Sequence, residues 1–331
     1  MKGEKLAVVS IVQDSEVGIA VRKAIDFLGG IENFVQAQDK VVIKPNLVFA
    51  VPPYTGFTTD PPVIKAIIEL CQKMNPSEVI IAEGSGGIDT HISFMSCGYA
   101  ELIRKYHVKL VDLNSSPTTR VEVPNGVAVK ELNIPDIIRE CDVLINVPKL
   151  KLYKPTPDGR DWASLAVKNL LGAVPGRGSL SSSRPKGMAV EYSREFWEPG
   201  GEYFHPMYRQ WWSPRGERKR IHTNLDHGLA DVNMVIKPAL NLLDAFLVSN
   251  DVNMTTTRAE KSFPLNSILA SPDPLALDCI AVKIGGIDPF NVGILKTAAE
   301  RDVGESDYNK IQLVGTPLEK IIKTWKSLCP S

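Results

Sequence analysis

Cysteine is scarce in this chain: Cys71, Cys97, Cys141, Cys279 and Cys329 are five among 331 residues. Their odd number and wide spacing exclude a disulfide framework, and with no C-x-x-C pair there is no local zinc knuckle. Excess charge is lacking too. The 38 basic and 38 acidic side chains give a formal net charge of zero, which argues against nucleic acid as a partner. No long apolar run is present: Leu6 to Val12 is too short to span a bilayer and carries no small-residue cleavage pattern, so a cytoplasmic protein without a membrane partner is expected. No G-x-S-x-G elbow marks a serine hydrolase. His222 and His227, five apart with His205 upstream, fit neither the H-E-x-x-H helix nor a zinc finger, and no metal ligand is assigned.

What is there reads as an ordinary globular chain, 44% hydrophobic and 23% charged, long enough for about two domains. Short apolar runs at Ala7–Val12, Val41–Ile43, Val79–Ala82, Lys109–Val111 and Val143–Val147 alternate with helix-length segments. That alternation predicts an α/β fold with a mainly parallel sheet and crossover helices. Asp60-Pro61-Pro62 predicts a helix start, with Ile64, Ile67, Ile68 and Cys71 on its buried face. Strand signals return at Leu240–Leu247, Ser267–Leu269 and Ile311–Val314, and Ser271-Pro272 precedes a helix in which Leu277, Ile280, Ala281 and Ile284 share a face. Two lobes are therefore expected, residues 1–150 and 226–331. Between them, 151–225 holds a lysine-bearing turn and helix, then an aromatic and basic excursion. Eight of the 23 aromatic residues fall within Tyr192–Trp212, a density that needs a lid, a core or a subunit contact to cover it. A homo-oligomer is left open.

The candidate site gathers where apolar strands end. Pro148 is expected to stop the strand Val143–Val147, putting Lys149, Lys151 and Lys154 in a turn at a strand's carboxyl end, where open α/β sheets bind ligands. Lys168 and Asn169 follow on a short helix ended by Gly172. An amine among Leu165, Val167, Leu170 and Leu171 is a candidate for a shifted pKa or a covalent tether, or else a snorkelling side chain. Lys44-Pro45-Asn46 leaves the strand Val41–Ile43 in the same way, Lys44 as an anchor for a carboxylate or phosphate and Asn46 as a two-way hydrogen-bonding group. Gly84, Ser85, Gly86 and Gly87 suit a nest of backbone N–H groups for an anion, against an ordinary turn. His91 reads as a solvated first-turn residue, Asp273 as a first-turn partner of its helix and Asp278 as a solvated residue. Asp112, Asp142 and Asp244 are further carboxylates near strand ends or helix starts. The run Arg215 to Arg220 reads as a solvated loop.

The segments VVIKPNLV (41–48), TTDPPVIKAIIEL (58–70), EVIIAEGSGG (78–87), CDVLINVPKLK (141–151), SLAVKNLLGAVPG (164–176) and ILASPDPLALDCIA (268–281) together resemble the domain-of-unknown-function family 362, over about residues 40–300. Many members of that family carry a ferredoxin-like cysteine cluster; this chain has none, so an iron–sulfur cluster is not expected. Tyr153 stands where members commonly have histidine. A more distant likeness is to the lactate racemase catalytic family. That likeness implies Lys168 at the lysine tethering a nickel-pincer nucleotide, His91 near one histidine and Tyr153 at another. The cofactor itself is unassigned, a nickel-pincer or other nucleotide-like group being what the likeness suggests.

The leading expectation is an enzyme acting on a small anionic metabolite or cofactor precursor in an inter-lobe cleft. Lys168, Lys44 and Lys151 are its expected catalytic residues, and Asn46, Gly84, Ser85, Gly86, Gly87, Lys149 and Asn169 its binding residues. Isomerase- or racemase-like and oxidoreductase-like reactions are the classes considered. The alternatives are a cofactor- or metal-binding accessory protein using the same cleft, and an interaction module using the aromatic excursion.

Overall fold

The structure is a computed structural model that describes residues 6–48, 50–86, 89–153, 161–176, 217–249 and 262–328. Its strands are β1 (Ala7–Gln13), β2 (Lys40–Lys44), β3 (Glu78–Glu83), β4 (Lys109–Asp112), β5 (Thr118–Glu122), β6 (Glu131–Pro135), β7 (Val143–Asn146), β8 (Lys149–Tyr153), β9 (Trp162–Ser164), β10 (Leu240–Ser249), β11 (Ser262–Ser271) and β12 (Ile311–Gly315). Ten of them form one sheet in the order β12-β1-β11-β10-β7-β2-β3-β4, with β8 on β10 and β9 on β8. The run from β10 through β7, β2 and β3 to β4 is parallel throughout. β11 is antiparallel to both β1 and β10.

The apolar runs Val41–Ile43, Val79–Ala82 and Val143–Val147 are buried on both faces, whereas Lys109–Val111, on the edge strand β4, is only partly buried. Val41 and Ile43 of β2 pack with the helices Val17–Asp26 and Pro61–Gln72, and Val42 between them packs on the opposite side against the β5–β6 hairpin and the helix Leu225–Val235. Two-sided burial is why the strands read as continuous rather than alternating. The helix Pro61–Gln72 starts at Asp60 as expected, and Ile64, Ile67, Ile68 and Cys71 are buried.

The expected lobes share this single sheet. β1 lies between β12 and β11, and β7 bonds directly to β10, so the ladder runs across the divisions at 150 and 226. Pro148 does not return the chain to a loop either. After it, β8 pairs with β10, Asp244 facing Lys149 and Ser249 facing Lys151, so both lysines sit on a strand and not in a turn. Lys154, Gly87 and residues 177–216, with the aromatic excursion and Arg215, lie outside the described residues.

Candidate functional site

β2 and β3 are adjacent and parallel, so the residues that end them, Lys44 and Glu83, emerge together at the carboxyl edge. Lys44 is fully buried and its Nζ lies 3.0 Å from Glu83 Oε1. The same carboxylate accepts the N–H groups of Gly84 at 2.7 Å and Leu47 at 2.9 Å. Burial lowers the Lys44 pKa, and the Glu83 charge opposes that fall. Lys149 is as deeply buried and is paired with Asp244 at 2.9 Å. Asp244 also accepts the Asp60 N–H at 2.9 Å. Asp60 is pushed up to about 6, by burial first and by Asp244 second.

Lys151 is held differently. Its Nζ donates to Asn46 Oδ1 at 2.6 Å and to the Phe57 carbonyl at 3.2 Å, and lies 4.7 Å from the centre of the Phe57 ring. Burial, and then the neighbouring Lys168, hold its pKa well below the usual lysine value. Lys168 stands on the short helix Ala166–Asn169, whose first N–H groups, from Ala166 and Val167, are each taken at 2.8 Å by the Asp278 carboxylate. Asp278 is therefore buried and structural, not solvated as its helix position suggested, and burial pushes it up to about 8. Among the described residues the Lys168 amine has no hydrogen-bond or ion-pair partner. It lies 5.6 Å from the Tyr153 ring centre and 5.5 Å from that of Trp162. Burial pushes it down to about 8, with Asp226 opposing at longer range.

These groups meet in one cavity of about 260 Å³. Lys44, Asn46, Glu83, Lys151, Lys168, Asn169, Arg218 and His222 give it polar walls, and Phe57, Tyr153, Trp162 and Leu171 give it apolar ones. The geometry thus brings Lys44, Lys151, Lys168, Asn46 and Asn169 to one place. Lys149, turned to Asp244, does not line it.

The glycine turn departs from the anion nest. The Gly84 N–H is taken by Glu83, that of Ser85 by Thr90 Oγ1 at 3.2 Å, and that of Gly86 by the Val48 carbonyl at 3.2 Å. Neither Gly84 nor Gly86 has positive φ, and a nest needs free N–H groups. What Gly84 provides is close approach: a Cβ there would lie 2.7 Å from the Gly172 carbonyl and 2.7 Å from the Arg218 guanidinium. The turn offers its carbonyls instead, Gly84 O and Ser85 O accepting from Arg218 at 2.6 and 3.3 Å, while Arg218 Nε donates to Val174 O at 2.8 Å. Arg218 is buried, whereas Lys219 and Arg220 beside it are exposed. The solvated-loop reading thus fails twice, since residues 217–220 are helical and Arg218 is buried. Nothing in the basic run distinguished it, because its burial depends on a helix, Glu217–Thr223, docking against the glycine turn. His222, one turn on, was also missed as a lining residue; its Nδ1 lies 2.6 Å from the Arg218 carbonyl, and burial lowers its pKa.

Among the described residues, the positions that the distant likeness pointed to do not fit the nickel-pincer group it suggested. His91 is exposed in the first turn of the helix Thr90–Ser96 and does not line the cavity. Tyr153 hydrogen-bonds Ser164, and burial raises its hydroxyl pKa. Of the three implied positions only Lys168 supplies nitrogen to the cavity. No group of three or more His, Cys, Asp or Glu side chains comes together among the described residues. Asp273 caps the helix Pro274–Ile284, accepting from Leu275 and Ala276 N–H at 2.9 Å each. Asp112 accepts from Thr90 Oγ1 at 2.6 Å and Asp142 from Lys40 N–H at 2.7 Å, so these carboxylates serve the scaffold.

Comparison with known proteins places the chain in its family. The "Thylakoid-associated protein sll1697" of Synechocystis sp. (strain ATCC 27184 / PCC 6803 / Kazusa) is 22% identical over 307 residues, covering 93% of this chain and 82% of that protein. The lactate racemase apoprotein from Thermoanaerobacterium thermosaccharolyticum is a solved structure of weak similarity, with a TM-score of 0.36 and 13% identity. It is matched over 86% of this chain, which spans 58% of that one. Among the described residues no helix is long and apolar enough to cross a membrane. The family model for the domain of unknown function DUF362 matches residues 41–283, and the chain belongs to that family.

Proposed function

We propose that the cavity is the active site of an enzyme acting on a small organic anion, a carboxylate or phosphate metabolite or a cofactor precursor. One observation supports this best: among the described residues three lysines, Lys44, Lys151 and Lys168, line the cavity with the one carboxylate of Glu83. Inside a desolvated pocket such an excess of positive charge is costly until an anion offsets it. The amines divide the work. Lys44 is neutralised by Glu83 and sets the floor, Lys151 supplies attraction as an arriving anion favours its charged form, and Lys168, with no hydrogen-bond or ion-pair partner among the described residues and near pKa 8, is the amine able to exchange a proton or attack a carbonyl near neutral pH. Three aromatic rings beside the amines leave an apolar wall for an apolar portion of the substrate. A cytoplasmic site of action belongs to the same proposal.

The test is thermal shift and calorimetry against a panel of small carboxylic acids, phosphates and nucleotides, with wild type and Lys151→Met. Wild type should gain stability with at least one anion class and the variant should lose that gain. A flat response of wild type to the whole panel would overturn the reading.

A further inference from the structure

Four asparagines carry an unbroken run of hydrogen bonds away from Lys151. Lys151 Nζ donates to Asn46 Oδ1 at 2.6 Å, and Asn46 Nδ2 donates to Asn169 Oδ1 at 2.7 Å. Asn169 Nδ2 donates to Asn146 Oδ1 at 2.8 Å, and Asn146 Nδ2 to Asn241 Oδ1 at 2.9 Å. Asn241 Nδ2 ends the run on the Ser271 and Pro272 carbonyls at 3.3 and 3.2 Å. All five side chains are buried, and they come from β8, the loop after β2, the helix Ala166–Asn169, β7 and β10.

The direction of this run is locked at its far end. Backbone carbonyls only accept, so Asn241 must turn its nitrogen to them, and each amide then fixes the next until Asn46 turns its oxygen to Lys151. Side branches agree, since Asn169 also donates to Pro45 O at 3.3 Å and Asn146 to Ala166 O at 3.1 Å. Flipping any one amide would set oxygen against oxygen and nitrogen against nitrogen. Four amides therefore point their negative ends along the run toward Lys151, and aligned bonds of this kind polarise one another.

The contrast with the other buried lysines gives the run its meaning. Lys44 and Lys149 are each cancelled by a carboxylate, whereas Lys151 is gripped by neutral groups that favour its charge without removing it. The charged groups acting on it are Lys168, Lys149 and Lys44, which oppose its protonation, and Glu83, which supports it. The strands beside it, β9 and β10, face it with Ser164 and Ser249.

We propose that Asn46, Asn169, Asn146 and Asn241 are positioning residues that favour the protonated form of Lys151 without cancelling its charge, making it the receptor for the oxyanion group of the bound molecule. This rests on the anion-site reading above.

The decisive experiment titrates Lys151 directly, by carbon NMR of protein labelled at lysine Cε, the resonance being assigned with Lys151→Arg. Asn146→Ala, which does not touch Lys151, should lower its titration midpoint by about one pH unit or more, a tenfold change in protonation. Asn46→Asp should raise the midpoint and weaken binding of inorganic phosphate and acetate at least tenfold, since the receptor is then neutralised from within. An unchanged midpoint in Asn146→Ala, or undiminished anion binding by a folded Asn46→Asp, would overturn the proposal. Should one variant fail to fold, the other decides. Wild type that binds neither phosphate nor acetate while the midpoints move as expected would refute the receptor role and leave the positioning role standing.

Discussion

Replacing Lys168 by methionine should make the protein more stable while removing its chemistry. The amine is pushed from the usual 10.5 down to about 8, so at neutral pH the fold holds an ammonium it disfavours. At 1.36 kcal/mol per pH unit, that drop corresponds to about 3 kcal/mol as an upper bound. Water reaches part of the side chain, which reduces the gain to about 1–2 kcal/mol. Methionine fills nearly the same volume, and its sulfur contact with Tyr153 and Trp162 offsets the lost cation–π attraction. The pH dependence supplies the sharper check. Because the folded pKa lies below the unfolded one, the unfolded chain binds the extra proton, and wild-type stability rises with pH between about 8 and 10.5. Below pH 8 the full cost is present; above 10.5 it is gone. Urea unfolding of both proteins at pH 7, 8, 9 and 10 should show Lys168→Met ahead at pH 7 and the gap closing as pH rises. A variant less stable than wild type at pH 7, or a gap indifferent to pH, would refute the desolvated amine.

Other perturbations test the scaffold around it. Gly172→Ala should cost about 1–3 kcal/mol, because its Cβ would lie 2.7 Å from Lys44 Nζ and crowd the Glu83 carboxylate; Gly86→Ala, whose Cβ would stand 3.4 Å from Val48, should be nearly silent in the same denaturation assay. Asp278→Ala should cost about 2–4 kcal/mol by leaving two buried N–H groups unpaired. With its folded pKa raised to about 8, Asp278 binds its proton more tightly in the folded state, so its contribution is full below pH 4 and declines as pH rises to 8; Asp278→Asn should flatten that slope in thermal melts. Asp244→Ala should cost about 3–5 kcal/mol, since it strands the buried Lys149 charge, and Asp244→Ala combined with Lys149→Met should recover much of that loss.

How much of this was legible in the residues differs element by element. Val41–Ile43, Val79–Ala82 and Val143–Val147 are strands because an apolar run this short, bounded by turn residues, has few other ways to bury itself. The helix after Asp60 was readable from its prolines and its spacing of isoleucines. Residues that end parallel strands must project from the same edge, so Lys44 and Asn46 near Lys151 and Lys168 also followed from local pattern and the direction of crossovers.

Tertiary structure alone decided the rest. β8 lies beyond a proline and pairs with β9 and with β10, the latter about 95 residues later, so no signal within the segment itself marked Lys149 and Lys151 as strand residues. Which lysine is cancelled and which is not depends on Glu83, Asp244 and Asn46, partners that sequence distance hides. Gly84 and Gly86 read as an anion nest from composition, but their N–H groups were taken by Glu83 and Val48 once the strands had docked. Arg218 and Asp278 looked solvated because burial of a charge is decided by what packs over it. Local sequence settles where the chain can form strands and helices, since that depends on nearest neighbours; the charge state and reach of each buried side chain depend on atoms brought together by the whole fold.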